Sequence, residues 1–232
     1  MKKLFRRLIA FLLIALLCVA CYFTALGYAL YKTTVREESV EKRIELIKER
    51  ENYTPLSDIP ETFKNAVIAV EDSRFYSHGG VDVIALGRAV VANVKEKDFV
   101  QGGSTISQQF AKNLLFSHKQ SVSRKVAELF ATYYIEKHYD KDEILELYMN
   151  VIYYGDGYYN IYDASMGYFG VEPRDLTDYQ ATMLAGIPNA PSVYAPTKNP
   201  DLAQKRQDKV LERMVETGVL TEEEKNKILE DR

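Results

Sequence analysis

The first pattern in the chain is an unbroken apolar run over residues 8–31, LIAFLLIALLCVACYFTALGYALY, with no charge in it. It is long enough to cross a bilayer as one helix. Lys2, Lys3, Arg6 and Arg7 precede it, so residues 1–7 are read as a cytoplasmic tail, with the rest of the chain outside the membrane. A cleaved signal peptide would have a shorter apolar core and end in small residues. Cys21 alone would suit a lipoprotein signal, but Cys18 stands where a leucine-like residue is expected; the pattern favours an uncleaved anchor. Residues 32–55 are densely charged with sparse isoleucine, leucine and valine, and read as a helical stalk or a solvated linker.

Beyond Pro55 the pattern turns helical. Asp58 is placed to cap a helix with Pro60 in its first turn. Phe63, Ala66, Val67 and Val70 recur at helical spacing and bring Glu71 to the helix end. Residues 83–94 and 106–115 continue in the same period, interrupted by Gly102-Gly103-Ser104-Thr105. Ser121 or Ser123 opens the next helix, whose apolar stripe is Val126, Leu129, Phe130 and Tyr133. Further helices are expected from Asp140 through Asn150 and over 164–169, 178–187 and 202–215. Thr221 with Glu224 forms a capping box for a C-terminal extension over 216–232. Residues 153–160, rich in glycine and tyrosine, read as a loop. No segment alternates as a strand does, and there is no internal repeat, so the expected class is mostly α.

The chain's 232 residues suffice for one core plus an appendage, and a net charge of −3 excludes a general nucleic-acid binder. Both cysteines lie in the apolar run and offer neither a disulfide framework nor a metal site.

Candidate chemistry concentrates in two places. Residues 71–82, EDSRFYSHGGVD, mix acids, a histidine, aromatics and glycines directly after an apolar helix. Glu71 reads either as a catalytic carboxylate or as a solvated helix end, and His78 either as a base or as a structural hydrogen-bonder. Residues 102–109, GGSTISQQ, allow close backbone approach or positive φ at Gly102 and Gly103 and place hydroxyls and amides at a helix start, where free N–H groups favour an anion. Lys112, Lys119, Arg124 and Lys125 add positive charge, so a phosphate-bearing ligand fits, as does a plain turn with a cap. The ending of a Walker loop is absent. Glu128 shares a face with Arg124 four residues earlier, which also describes an ordinary surface ion pair.

Five ordered segments together resemble the peptidoglycan glycosyltransferases of family 51, found in class A penicillin-binding proteins and in monofunctional enzymes. They are Glu71-Asp72-x-x-Phe75-x-x-His78-x-Gly80-x-Asp82; Gln101 through Gln109, running on to Ala111-Lys112-Asn113; Arg124-Lys125-x-x-Glu128 with Lys141 through Asn150; Tyr154-Gly155 to Tyr168-Phe169-Gly170; and Ala185-Gly186-Ile187-Pro188, continuing to Tyr194-x-Pro196. The resemblance implies a lysozyme-like helical domain over residues 56–215, preceded by the transmembrane helix. It implies an inverting polymerase of lipid II that extends a lipid-linked glycan by β-1,4 bonds and releases undecaprenyl pyrophosphate. Glu71 would deprotonate the acceptor hydroxyl, with Glu128 assisting on the donor side. Arg88, Lys112, Arg124 and Lys125 would hold the diphosphate, and Ser104, Thr105, Gln108 and Gln109 would position sugars and phosphates. Asp72, Phe75, His78, Gly102 and Gly103 would brace the motifs. No cofactor or dedicated metal ligand set is implied, although magnesium or manganese often stimulates such enzymes. The implied partners are lipid II, the nascent glycan, the membrane and other wall-synthesis proteins, with no nucleic acid. The chain departs from the family pattern at Lys119-Gln120, Asn160, Tyr162 and Val171, on the acceptor side. Phe99, Leu114, Leu115 and Phe116 fall in the family's membrane-facing region and read equally as lipid contacts or as buried. The short stretch after the fifth motif leaves no room for a transpeptidase domain. A glycan-cleaving enzyme of the same fold class and an inactive wall-synthesis scaffold are the competing readings.

Overall fold

The computed structural model describes residues 2–96, 102–116 and 121–231. Twelve helices and four short 3₁₀ turns make up the secondary structure of these residues, which include no strand. The helices are α1 Lys2–Glu37, α2 Val40–Lys48, α3 Glu61–Glu71, α4 Val83–Glu96, α5 Ile106–Leu115, α6 Val122–His138, α7 Lys141–Met149, α8 Ile161–Phe169, α9 Asp178–Gly186, α10 Pro191–Tyr194, α11 Pro200–Glu216 and α12 Glu222–Glu230.

The core forms where the apolar stripes meet. Phe63, Ala66 and Val67 turn the inner face of α3 toward α9 and α11. Ile106, Phe110 and Ala111 of α5 lie between α6 and α7, beside Ala127, Ala131 and Ile135 of α6 and Ile144, Leu145 and Tyr148 of α7. Helix starts follow the local chemistry. Thr105, Asp140, Thr177 and Thr221 each head a reciprocal capping box, while Ser121 and Asn160 cap α6 and α8.

Three expectations change. Asp58 does not cap α3: it ends the 3₁₀ turn Leu56–Asp58 and pairs with Arg174, while Pro60 precedes α3 without a side-chain cap. Proline at that place costs no hydrogen bond.

The charged stretch before residue 56 is not a solvated linker. It folds as α2 with Val40, Ile44 and Ile47 buried at i, i+4 and i+7 against α5. Thr54 exchanges hydrogen bonds with the buried Asn150 side chain, and the Leu56 N–H donates to Glu146. The folded unit therefore extends ahead of residue 56, through α2 and into the C-terminal part of α1. The charges misled because they cover the outer face of a half-buried helix.

Finally, Leu114 and Leu115 are buried, which assigns them to packing; Phe116 is partly buried and packed on the core. Phe99, Gln101, Lys119 and Gln120 lie outside the described residues.

α1 is long and apolar enough to cross a membrane, and it carries both free, exposed cysteines. Its C-terminal part packs along α6. Gly27 and Tyr31 are its buried residues, and Phe130 of α6 meets the rings of Tyr28 at 5.2 Å and Tyr31 at 6.3 Å.

Candidate active site

Glu71 is the last residue of α3 and opens onto a cleft of about 250 Å³. Asp72, Arg88, Gly102, Gly103, Ser104, Thr105 and Gln109 also line the cleft, so both sequence motifs meet in one place. The Glu71 carboxylate is held on one side only. Its Oε2 accepts a hydrogen bond of 2.8 Å from Gln109 Nε2. Its Oε1 is buried and has no hydrogen-bond partner among the described residues. Leaving a carboxylate oxygen buried and unpaired is costly unless something else binds there. Tyr148, fully buried, donates to Gln109 Oε1 at 3.4 Å and so backs the residue that holds Glu71.

The residues after Glu71 form its support. Asp72 is buried; its carboxylate pairs with His78 Nε2 at 2.8 Å and accepts the Ile106 N–H at 3.1 Å. One acid thereby ties the end of α3 to the start of α5, across 34 residues of sequence. Asp82 accepts from Arg74 Nε at 2.9 Å and from the Ala85 N–H at 2.8 Å. The hydrogen bond from Arg74 holds the Asp82 carboxyl down at about 2. Phe75 is fully buried and packs edge-on against the His78 ring. Asp72, His78 and Asp82 bring ligand-type atoms within 4.8 Å of one another. Their oxygens already serve Ile106, His78, Arg74 and Ala85, and this donor set does not fit a resident metal.

The start of α5 is closed to an anion. Thr105 accepts the Gln108 N–H, Gln108 Oε1 accepts the Thr105 N–H, and Asp72 takes the Ile106 N–H. Thr105 donates its own hydroxyl proton to Gly80 O, and both Thr105 and Gln108 are buried. These two residues shape the loop; Thr105 also lines the cleft with Ser104 and Gln109, and Gln108 does not. Gly102 and Gly103 do not use positive φ; that conformation occurs at Gly80, among others. Close approach explains Gly103, where an added Cβ would lie 3.2 Å from Leu86.

Glu128 reverses the surface reading. It is 1% exposed, with Oε1 2.9 Å from Arg124 Nε and Oε2 3.0 Å from Lys125 Nζ. Lys125 also reaches Ser104 Oγ at 3.3 Å. Lys112, half-buried on α5, feels the charges of Glu128, Lys125, Arg124 and Glu71 together. Burial lowers its pKa from the usual lysine value; Lys125 and Arg124 push the same way, and the two glutamates oppose them. The two acids and three cations singled out in the sequence therefore form one electrostatic cluster. Arg88 is exposed on α4 and lines the cleft.

The sequence reading missed the far wall of the cleft, formed by Asn189, Arg206 and Arg213. Arg206 donates to Gly186 O at 3.2 Å and stands over the Tyr194 ring. Their seven-residue spacing on one helix was the available signal. The departure at Asn160 has a structural explanation, since it caps α8 by accepting the Asp163 N–H at 2.7 Å. Val171 packs on the core and accepts the Ser165 hydroxyl.

Residues 37–215 match the transglycosylase family model, and the chain belongs to that family. It is 42% identical over 198 residues to penicillin-binding protein 1A/1B of Bacillus subtilis, covering 85% of this chain and 22% of that protein. It is 44% identical over 184 residues to penicillin-binding protein 1A of Neisseria gonorrhoeae, covering 79% of this chain and 23% of the relative. The chain thus spans less than a quarter of the length of these relatives. Among solved structures, penicillin-binding protein 1A from Haemophilus influenzae aligns with a TM-score of 0.46 and 23% identity, over 78% of this chain and 17% of that one. The family match begins at residue 37, close to the start of α2.

Proposed function

We propose that this protein is a membrane-anchored peptidoglycan glycosyltransferase that polymerises lipid II into β-1,4-linked glycan and releases undecaprenyl pyrophosphate with inversion. The carrying observation is the buried, unpartnered Oε1 of Glu71, in a carboxylate fixed by Gln109 at the mouth of the cleft. A sugar hydroxyl is a weak nucleophile, and a positioned carboxylate accelerates its attack by taking its proton. On the donor side the leaving group is already a diphosphate, so it needs cations rather than an acid. Lys112, Arg124 and Lys125 supply them, with Glu128 holding the last two in place. Arg88 and Ser104 line the acceptor cleft. No step requires a cofactor, and stimulation by magnesium or manganese would act through the substrate's diphosphate. The basic residues that open α1, ahead of its apolar run, favour an N-terminus in the cytoplasm and a helical domain outside a bacterial cell membrane, beside other wall-synthesis proteins.

Purified protein in detergent with radiolabelled lipid II tests the reading. High-molecular-weight glycan is expected. Degradation of preformed glycan without polymerisation would favour a lysozyme-like hydrolase, and no reaction a scaffold.

Two further results are expected. Gln109→Ala removes the hydrogen bond that orients Glu71; kcat should fall about tenfold with KM little changed, which steady-state kinetics would read. Lys112 makes the protein's behaviour depend on pH in the alkaline range. Its folded pKa lies below the unfolded value, so the native state binds fewer protons and stability rises with pH across that window. Diphosphate binding is lost across the same window as the ammonium deprotonates. The alkaline limb of kcat/KM should fall below the ordinary lysine range and move upward in Lys112→Arg.

A further inference from the structure

We infer that Gly27 is a positioning residue: by letting the anchor helix dock flush against α6, it sets the height of the Arg124–Lys125–Glu128 cluster over the bilayer. This rests on the reading of the cluster as a diphosphate site.

The contact is built for close approach. Gly27 is buried, and a Cβ there would lie 2.6 Å from Val126 Cβ and 2.9 Å from the Ser123 carbonyl oxygen. Backbone cannot yield as a flexible side chain does, so a larger residue would force the helices apart. One turn further along α1, Tyr31 joins Tyr28 around the Phe130 ring. Ser123, Val126 and Phe130 lie roughly opposite Arg124 and Glu128 around α6. α6 is therefore held by the anchor on one side while carrying the cations on the other.

The depth along the membrane agrees. A bilayer core of about 30 Å takes about 20 helical residues. Counting from Leu8, the span ends near Gly27, so the docking lies at the exit surface, where the headgroups of lipid-linked substrates sit. A substrate whose lipid tail fixes its diphosphate at that level needs its cations at the same height. A substrate free in water does not.

The test uses the full chain in phosphatidylethanolamine/phosphatidylglycerol liposomes. Kinetics of Gly27→Val are compared on lipid II with its natural chain and on an analogue with a short, water-soluble prenyl chain. The expected result is a fall of about tenfold in kcat/KM on the bilayer substrate, with the short-chain substrate within twofold of wild type. Leu26→Val, one residue away and lipid-facing, should change neither. No change on either substrate would overturn the inference. An equal fall on both would also overturn it, because the substitution would then damage the site itself. A photo-crosslinker replacing Tyr28 reads docking independently of activity: it should capture α6 peptides, and lose them in Gly27→Val. If wild type polymerises neither substrate, the functional reading fails while this capture still reports the docking. Failure to capture α6 in the wild type would overturn the docking itself.

Discussion

Glu71→Gln should lower the rate of glycan formation by about 10²–10⁴-fold while leaving the protein folded. The amide keeps the size of the carboxylate and can still meet Gln109, so the local packing survives. What it loses is the capacity to accept a proton at the buried Oε1 position, where no group among the described residues competes. KM should stay within a few-fold, because the cations of α5 and α6 are untouched. Thermal stability should be unchanged or slightly raised, since a buried carboxylate oxygen without a partner is itself unfavourable. Initial rates of polymer formation read the effect, alongside a melting curve. A near-wild-type rate would remove Glu71 from the chemistry.

The second large effect is on stability. Glu128→Ala removes a carboxylate that is 1% exposed and lies between Arg124 and Lys125. Arg124 is 13% exposed, so its largely buried charge would lose the ion pair with Glu128. Breaking such a buried pair costs about 3–5 kcal/mol. Lys125 is half exposed and can turn to water, which places the expected loss near the lower figure, about 3 kcal/mol. For a chain of this size that corresponds to roughly 6–12 °C in Tm. Inorganic pyrophosphate should narrow the gap between wild type and variant, because an anion bound to the cluster replaces part of the lost charge. Calorimetry with and without pyrophosphate measures both. An unchanged Tm would mean that Glu128 does not neutralise the cluster.

How much of this was legible in the sequence depended on distance along the chain. Helix periodicity placed α3, α5, α7 and α11 because each presents one apolar stripe to the core. On α6 the stripe read from the sequence is not the core face, since Leu129 and Tyr133 are exposed and Ala127, Ala131 and Ile135 are buried instead. α9 is buried over residues 181–186 without a polar face. The capping box at Thr221 was readable because its two partners lie three residues apart. Glu71 was visible as an acid ending an apolar helix, and the ordered motifs gave it a role. Burial was not visible. A glutamate four residues from an arginine looks the same on a surface as in an interior, so Glu128 read as a solvated pair. The charged face of α2 hid three buried residues for the same reason. Bonds between distant segments were equally hidden, and Asp72 to the Ile106 N–H is the instructive case. It consumes a helix start that local reasoning left free for an anion. The docking of Gly27 on Val126 joins residues on helices far apart in sequence, and a glycine in an apolar run carries no local sign of it.

In the proposed glycosyl transfer, Glu71 takes a hydroxyl proton as a lipid diphosphate departs. The most direct measurement of that transfer is the stoichiometry of the reaction on doubly labelled lipid II, counting undecaprenyl pyrophosphate released against glycosidic bonds formed. The account predicts one diphosphate released per new β-1,4 bond, with both products falling together in Glu71→Gln. Diphosphate released without bond formation, or both products persisting in Glu71→Gln, would contradict it.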